Sequence, residues 1–420
     1  MRLLIWGQHS HTGFGRVTRE LAERFLALGI DVRVIAVNHR GEPVTGPLSG
    51  RVWPANLNGD GFGASFNHLA IDGTFWKQFN ATDDWKPDVG LIIADVSGLR
   101  SYIGQRIQPQ WQTIPILHYC PIEGDNLAPS WRDVWGMFQP VAMSESGRGQ
   151  IAAHIGRDVP MVYHGVHTEV FRPVSVTEPF VFDNLVLRTK EDCKRAFGFD
   201  PARKLVLRAD RAVQRKFYDV TLRAMSEVFD RDPDVDLVLH CSPVDEGYVL
   251  YEDLARLPAH QMVPGSPRVK LTMAHDTFVG LPEGMLVALY NAADVYLTTT
   301  SGEGFGLTIA EALACEVPVV STGWAAEVEV VGPGGILVQP LKDEYGETVR
   351  YHSTYGMDWA IPDPKGFVEP VLGLLAKPQR ARAIGKAGRH HVIRSFNWDR
   401  ATDQFIALFA QALEAAEVAA

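Results

Sequence analysis

The sequence predicts an α/β protein with two doubly wound parallel sheets. Its 420 residues exceed what one hydrophobic core usually serves, so two domains are expected. In both halves, short apolar runs alternate with longer stretches that carry apolar residues at helical spacing, as in βαβ units. Hydrophobic residues make up 46% and charged residues 21% of the chain, a composition typical of globular enzymes and binding proteins.

The first βαβ unit is predicted at residues 1–37. A strand at 2–6 leads into a glycine-containing loop at 7–15, which is followed by an amphipathic helix and a second strand. Gly13 and Gly15 are candidates for close approach of the backbone to a ligand. The segment lacks the full G-x-G-x-x-G pattern of dinucleotide sites, so a tight turn into a helix is an equal alternative.

Polar residues follow the next two predicted strands, at 89–94 and 114–117. Asp95 and His118 stand where these strands end, at the edge where open parallel sheets bind ligands. A histidine there can act as a base, donate a hydrogen bond to a ligand, or pack in the core. The aromatic-rich loop at 41–86 either shapes a substrate site or packs its rings beneath itself.

A second α/β series begins after a polar, proline-containing segment near residue 200. Its first predicted strand, 205–207, is followed by Arg211 and Lys216. Cations at the start of a helix are unfavourable unless an anion is bound there, which favours a phosphate site over a solvated basic run. Arg208 and Arg215 are neighbouring candidates.

The most informative stretch reads T-T-T-S-G-E-G-F-G-L-T-I-A-E-A over residues 298–312. A strand, a glycine loop and a helix in succession place backbone N–H groups at a helix N-terminus, which binds anions. Gly304 and Gly306 let the main chain approach a ligand, and the spacing of Glu303 and Glu311 puts two helical positions on nearly one face. The residues around Glu311 are apolar, so a buried carboxylate there needs a partner. The alternative is a capping Glu303 and a solvated Glu311.

Residues 289–321 resemble the donor site of the retaining glycosyltransferases of family four. Those enzymes have the GT-B fold, in which two Rossmann-like domains face each other across a cleft. The resemblance implies an acceptor domain at 1–173, a donor domain at 174–397, and a C-terminal helix at 398–420 that crosses back onto the first domain. His167 stands where the family commonly has Asp.

The resemblance also implies roles for individual residues. Glu303 would contact the donor sugar, Glu311 the ribose, and Arg211 with Lys216 the phosphates, while His118 would point at the reacting sugar. The implied catalytic residues are His118, Arg211, Lys216 and Glu303. The implied donor-binding residues are Gly13, Gly15, Arg211, Lys216, Gly304, Phe305, Gly306, Leu307, Thr308 and Glu311.

The expected activity is retaining, metal-independent transfer of a sugar from a UDP- or GDP-sugar to a hydroxyl acceptor. The nucleotide sugar is a co-substrate, and no cofactor is expected. The acceptor is open among a glycan, a lipid-linked sugar, a protein, a metabolite and a modified nucleotide. A sugar-nucleotide epimerase or hydrolase of the same fold, and a non-catalytic sugar-nucleotide binding protein, are the alternatives.

The net charge and the cysteines indicate which partners and which cellular compartment to expect for the protein. A net charge of −10 disfavours nucleic acid as a partner without excluding it. The four cysteines lack metal-ligand spacing and indicate reduced thiols in the cytoplasm, and neither a secretory leader nor a membrane-spanning apolar run is found. The D-x-D pairs at 230–232 and 234–236 precede a strand instead of following one, so no metal is expected.

Overall fold

The computed structural model describes residues 1–10, 12–37, 39, 43–54, 85–105, 114–261, 268–272 and 281–419. The chain divides into two compact units, each built on a six-stranded parallel sheet. The first unit comprises Met1–Gly165, Thr354–Met357 and Trp398–Ala420, and the second comprises Val166–Ser353 and Asp358–Asn397. The predicted α/β class with two doubly wound sheets is confirmed.

The sheet of the first unit has the strand order β3-β2-β1-β4-β5-β6. Its strands are β1 (Arg2–Gln8), β2 (Asp31–Val37), β3 (Val52–Pro54), β4 (Val89–Ile93), β5 (Ile116–Cys120) and β6 (Gln139–Ala142). Its helices include α1 (Gly13–Ala27), α2 (Val96–Gln105), α3 (Trp131–Met137) and α4 (Glu145–Ile155). The order reverses between β1 and β4, which makes their carboxyl ends the switch point where doubly wound sheets bind ligands.

The sheet of the second unit repeats this topology, with the order β13-β10-β9-β14-β15-β16. Its strands are β9 (Lys204–Ala209), β10 (Val235–His240), β13 (Val269–Leu271), β14 (Val295–Thr298), β15 (Val319–Thr322) and β16 (Gly335–Val338). Its helices are α5 (Lys190–Ala196), α6 (Tyr218–Arg231), α7 (Leu250–Leu254), α8 (Glu283–Ala292), α9 (Leu307–Ala314), α10 (Glu327–Val331), α11 (Pro364–Ala376) and α12 (Pro378–Ser395). The switch point here lies between β9 and β14.

In the described part of the chain, three two-stranded antiparallel hairpins accompany the second sheet. They pair β7 (Phe180–Phe182) with β8 (Leu185–Leu187), β11 (Val244–Asp245) with β12 (Tyr248–Val249), and β17 (Arg350–His352) with β18 (Asp358–Ala360). The last hairpin belongs to the segment after β16 whose role the sequence does not reveal. In it the rings of Tyr351 and Trp359 stack with centroids 6.0 Å apart.

The strand expected at residues 114–117 begins and ends later in the sequence than its apolar residues indicate. β5 starts at Ile116, which pairs with Gly90 of β4, because Pro115 has no N–H group to donate to a neighbouring strand. The strand then runs to Cys120. His118 therefore lies in the middle of β5, and the prediction that it stands at the strand's end was wrong.

The glycine loop after β1 is shorter than predicted. Helix α1 begins at Gly13, where Thr12 caps the helix by accepting a hydrogen bond of 3.1 Å from the amide of Gly15. Gly13 and Gly15 are thus first-turn helical residues and not loop residues. A Cβ at Gly15 would overlap the carbonyl oxygen of Ser10 and lie 2.7 Å from its amide nitrogen, so this glycine allows the incoming chain to cross the helix closely.

The C-terminal helix α13 (Trp398–Ala419) packs within the first unit. Phe405 and Phe409 lie on one face, and the ring of Phe25 on α1 meets Phe409 edge-to-face at 5.4 Å. Tyr119 on β5 meets Phe405 at 4.9 Å. These buried aromatic contacts explain why the amphipathic pattern continues to the end of the chain.

The aromatic-rich loop at 41–86 is described only at its ends. Arg33 on β2 lies over the rings of Trp53 and Trp85, at 5.4 and 4.5 Å from their centroids. The indole N–H of Trp85 donates to Asp31 at 2.7 Å. These two tryptophans therefore have a packing role, whereas Phe62, Phe66, Phe75 and Trp76 lie outside the described residues. In the part of the chain that the structure describes, no helix is long and apolar enough to cross a membrane.

Replacing Gly15 by Ala is expected to lower the free energy of unfolding by about 1–3 kcal/mol, because the added methyl group has no room beside Ser10. Urea denaturation measures the difference. Gly149→Ala, in the same unit, is the matched control, since a Cβ at Gly149 meets no atom within 4 Å. Equal midpoints for the two variants would contradict the packing role of Gly15.

Candidate functional site

A fully buried arginine organises the carboxyl end of β9. Arg208 donates through Nε to Asp210 at 3.1 Å and through Nη1 to Thr299 at 2.8 Å, and its guanidinium lies 3.8 Å from the ring centroid of Tyr218. It also donates to the carbonyl oxygen of Lys216. Because Arg208 lies on β9 and its partners come from the loop after β9, the start of α6 and the loop after β14, Arg208 fixes both loops at the switch point.

Asp210 is the buried anion that Arg208 holds. Its side chain is 2% exposed and lies 3.0 Å from the Nζ of Lys216. Burial opposes ionisation of Asp210, but the positive charges of Lys216 and Arg208 outweigh it and lower its pKa to about 2. Asp210 is therefore ionised throughout the neutral range.

Lys216 joins the two loops electrostatically. Its ammonium group contacts the carboxylate of Glu303 on one side and that of Asp210 on the other. Arg215 adds a second cation, since Nη1 donates to the carbonyl oxygen of Gly302 at 2.9 Å and lies 3.5 Å from Glu303. Lys216 and Arg215 thus join Asp210 and Glu303 in a chain of alternating charges, which the sequence did not predict.

Glu303 lies in the loop between β14 and α9, not on the helix. Helix α9 begins only at Leu307, because the preceding residue, Gly306, has φ 98°, a left-handed conformation that ends helical geometry and favours glycine. The expectation that Glu303 and Glu311 share a helix face was therefore wrong. The first N–H groups of α9 still lack acceptors within the helix, as an anion-binding N-terminus requires.

The remaining loop residues are held by aromatic side chains. Phe305 is buried and meets Phe396 edge-to-face at 5.0 Å. Thr308, in the first turn of α9, lies with its Oγ1 2.9 Å from the hydroxyl of Tyr296. These contacts fix the segment that also contains Gly304, Gly306 and Leu307.

Glu311 has the partner that its apolar surroundings require. The carboxylate is 3% exposed, and the hydroxyl of Tyr290 on α8 donates to Oε2 at 2.8 Å. The prediction that Glu311 is buried is confirmed, and a solvated helix charge is excluded. A carboxylate oxygen can accept more than one hydrogen bond, so Glu311 is also chemically able to accept from a ligand hydroxyl.

Arg211 lies on the hairpin side of the site and has its own carboxylates. Nε and Nη2 fork onto Asp245 at 2.8 and 2.7 Å, and Nη2 also donates to Glu246 at 2.9 Å. Asp245 lies on β11 and Glu246 in the turn before β12. Arg211 and Lys216 therefore belong to two different ion clusters here, which the sequence prediction of one phosphate-holding pair did not anticipate.

His118, in the first unit, is fully buried. Its Nε2 lies 3.0 Å from the carbonyl oxygen of Ala94, so this nitrogen carries the proton. Nδ1 is buried without a hydrogen-bond partner among the described residues. Burial lowers the pKa of His118 to about 4 although the Ala94 carbonyl opposes this, so the ring is neutral near pH 7. As a neutral ring, it can accept a hydrogen bond at Nδ1 but not donate one there.

The sequence reasoning missed Asp210 and Glu327. Asp210 directly follows β9, and its position at the carboxyl end of a strand was a usable signal. Glu327 begins α10 and accepts the backbone N–H of Glu303 at 3.0 Å. Its segment also contains Glu329, and the sequence pattern does not distinguish the buried Glu327 from this second glutamate.

Two of the D-x-D acids, Asp232 and Asp236, form ion pairs with lysine and arginine. Asp232 lies 2.6 Å from Lys204, and Asp236 lies 2.8 Å from Arg203 and 2.5 Å from Lys270. Within the described ranges, no group of three His, Cys, Asp or Glu side chains is placed to hold a metal ion. The four cysteines are free and buried.

The part of the chain that contains this site matches the model of a known protein family. Residues 203–351 match the model of the family described as glycosyl transferases group 1. The predicted resemblance to that family is therefore confirmed for the part of the second unit that contains the ion clusters and both glutamates.

Two curated relatives are named as glycosyltransferases. The chain is 27% identical over 282 residues to D-inositol 3-phosphate glycosyltransferase of Segniliparus rotundus, covering 66% of this chain and 53% of the relative. It is 31% identical over 232 residues to the enzyme of that name from Corynebacterium aurimucosum, covering 54% and 47% respectively. The chain thus spans about half the length of the curated relatives it matches.

Among solved structures, sucrose-phosphate synthase from Thermosynechococcus elongatus superimposes with a TM-score of 0.71 at 17% identity, covering 99% of this chain and 100% of the other. Anabaena HepE in complex with UDP and glucose gives 0.61 at 14%, covering 98% and 100%. The fold is the GT-B fold of glycosyltransferases.

Replacing Lys216 by Met is expected to lower the free energy of unfolding by about 3–5 kcal/mol, because it leaves Asp210 and Glu303 buried without their shared cation. Urea denaturation followed by circular dichroism measures the loss. Arg223→Met, which removes an exposed cation paired with Asp219 on α6, is the control and is expected to change little. A loss no larger than that of the control would contradict the role of Lys216.

Proposed function

We propose that this protein transfers a glycosyl unit from a nucleoside-diphosphate sugar to a hydroxyl acceptor, with retention at the anomeric carbon and without a bound metal. The observation that carries the proposal is the switch point of the second sheet. There Lys216, Arg215 and the N-terminus of α9 meet Glu303, with the buried Glu311 further along the helix.

The positive groups support a role with the leaving diphosphate. Transfer breaks the bond between the anomeric carbon and a phosphate oxygen, and the negative charge that grows on that oxygen needs compensation. Lys216, Arg215 and the first N–H groups of α9 are held in place before any ligand arrives, so they can stabilise that charge without reorganising. Such an arrangement requires no metal ion.

The carboxylates support recognition of hydroxyl groups. Glu303 lies beside the cations and can accept hydrogen bonds from sugar hydroxyls, while Glu311 can accept from a ribose. The retaining outcome is carried over from the family that the chain resembles.

We further propose that the acceptor is a hydroxyl compound met in the cytoplasm. Free, buried cysteine thiols fit a reducing compartment. The curated relatives are named for D-inositol 3-phosphate, so a phosphorylated polyol is one acceptor to include in a search.

The central test measures nucleoside-diphosphate release from a panel of UDP-, GDP- and ADP-sugars, first without an acceptor and then with candidate acceptors. Slow release from one donor, unaffected by EDTA and accelerated by an acceptor, is the expected result. Glu311→Ala is expected to reduce release by about ten- to hundredfold, the size of a lost hydrogen bond to a charged group.

Glu227→Gln, an exposed carboxylate on α6, serves as the control and should retain full activity. Release at the same rate with and without every acceptor would indicate a hydrolase. Tight binding without turnover would indicate a non-catalytic binding protein, and no binding of any donor would remove the basis of the proposal.

A second measurement decides whether Arg211 binds the donor phosphates. If it does, it must exchange Asp245 and Glu246 for phosphate oxygens, so Asp245→Asn is expected to lower the Kd for the nucleoside diphosphate severalfold. Arg211→Gln is expected to raise it. Titration calorimetry gives both values, and an unchanged Kd in both variants would assign Arg211 to the hairpin alone.

A further inference from the structure

Residues 326 and 327 hold the main chain of Glu303 from two directions. The backbone N–H of Glu303 donates to Oε2 of Glu327 at 3.0 Å. The backbone N–H of Ala326 donates in turn to the carbonyl oxygen of Glu303 at 3.4 Å. Because the Glu303 amide and carbonyl are both engaged, the backbone at this loop position is fixed by the start of α10.

We propose that Glu327 is a positioning residue: it holds the backbone of Glu303 and thereby sets the direction of the Glu303 carboxylate at the donor site. The inference rests on the proposed function and adds a residue to it. Within the described residues, the Glu327 side chain makes no hydrogen bond to the charged loop after β9 or to the N-terminus of α9. It therefore acts through Glu303.

The surroundings of Glu327 favour its neutral, protonated form. The side chain is fully buried, and its Oε1 has no hydrogen-bond partner among the described residues. The nearby cations are already taken, since Lys216 pairs with Asp210 and Glu303, and Arg215 lies beside Glu303. An ionised carboxylate buried without its own cation would be very costly.

The other charged groups near α10 do not supply that cation. The helix packs against α9, β15 and β16. Helix α9 contributes Glu311, which is bonded to Tyr290, and on α12 His391 lies with Nε2 2.9 Å from the carbonyl oxygen of Glu329. Burial and the negative charge of Glu303 raise the pKa of Glu327 well above its ordinary value, while Lys216 opposes the shift.

A neutral Glu327 suits the task of holding Glu303. Its carbonyl oxygen accepts the Glu303 N–H without repelling the Glu303 carboxylate. An ionised Glu327 would repel that carboxylate and compete for Lys216, which would disturb the chain of charges that prepares the site. Gln has the shape of the protonated acid and the same acceptor oxygen, so it is the substitution that preserves this function.

The experiment compares Glu327→Gln, Glu327→Ala and the control Glu329→Gln, which removes a charge from the same helix. In the donor-release assay near pH 7, Glu327→Gln is expected to keep wild-type kcat. Glu327→Ala is expected to lose kcat by up to about a hundredfold, the cost of misplacing a reacting group by about 1 Å. A Gln variant as inactive as the Ala variant would overturn the proposal.

A second readout requires no activity. Because the pKa of Glu327 is raised on folding, the stability contributed by its proton is fully present below the ordinary value of 4.5 and is lost as the pH rises. Glu327→Gln cannot lose a proton. The difference in Tm between this variant and the wild type is therefore expected to increase from pH 5 to pH 9.

The donor-release assay and the Tm comparison distinguish a failure of the proposed function from a failure of the proposed role of Glu327. If the wild type releases no nucleoside diphosphate from any donor, the proposed function fails, and the Tm comparison still decides whether Glu327 is held as a neutral acid. If the wild type is active but the Tm difference for Glu327→Gln does not depend on pH, the positioning role assigned to a neutral Glu327 is wrong.

Discussion

One ammonium group shared by two buried carboxylates is the interaction on which the second unit's site depends. Lys216 compensates Asp210 from the loop after β9 and Glu303 from the loop after β14. These loops meet because β9 and β14 are adjacent strands at the point where the strand order reverses. Arg208 then ties Asp210 to the core below. The topology creates the site, and the charges keep it in one arrangement.

Local patterns were sufficient to predict most of this architecture. The alternation of apolar runs and amphipathic stretches predicts both sheets, since parallel strands buried on two faces read as continuous apolar segments. The segment at 298–312 predicts the glycine loop, and the apolar neighbours of Glu311 predict its burial. Errors at element ends have local causes as well. Strand β5 begins only after Pro115, and helix α1 begins directly after its N-cap Thr12, so that Gly13 and Gly15 are already helical.

The ion pairing could not be predicted in the same way, because it joins residues that are far apart in the sequence. Arg211 and Lys216 look equivalent in a basic run, yet the first pairs with Asp245 on a hairpin and the second with Glu303. Which carboxylate each cation meets depends on how β11 and the loop after β14 are placed, and single-residue patterns do not encode that. For the same reason, the sequence does not distinguish the buried Glu327 from Glu329 on the same helix.

The burial of Arg208 has a consequence for how salt should act on the protein. Dissolved ions screen interactions between exposed charges strongly and between buried charges weakly. Arg208 is fully buried and Asp210 nearly so, so this pair, and with it the shape of the two loops, is insensitive to ionic strength. Any effect of salt concentration on ligand binding then comes from screening of the ligand's own charge, and not from a structural change in the site.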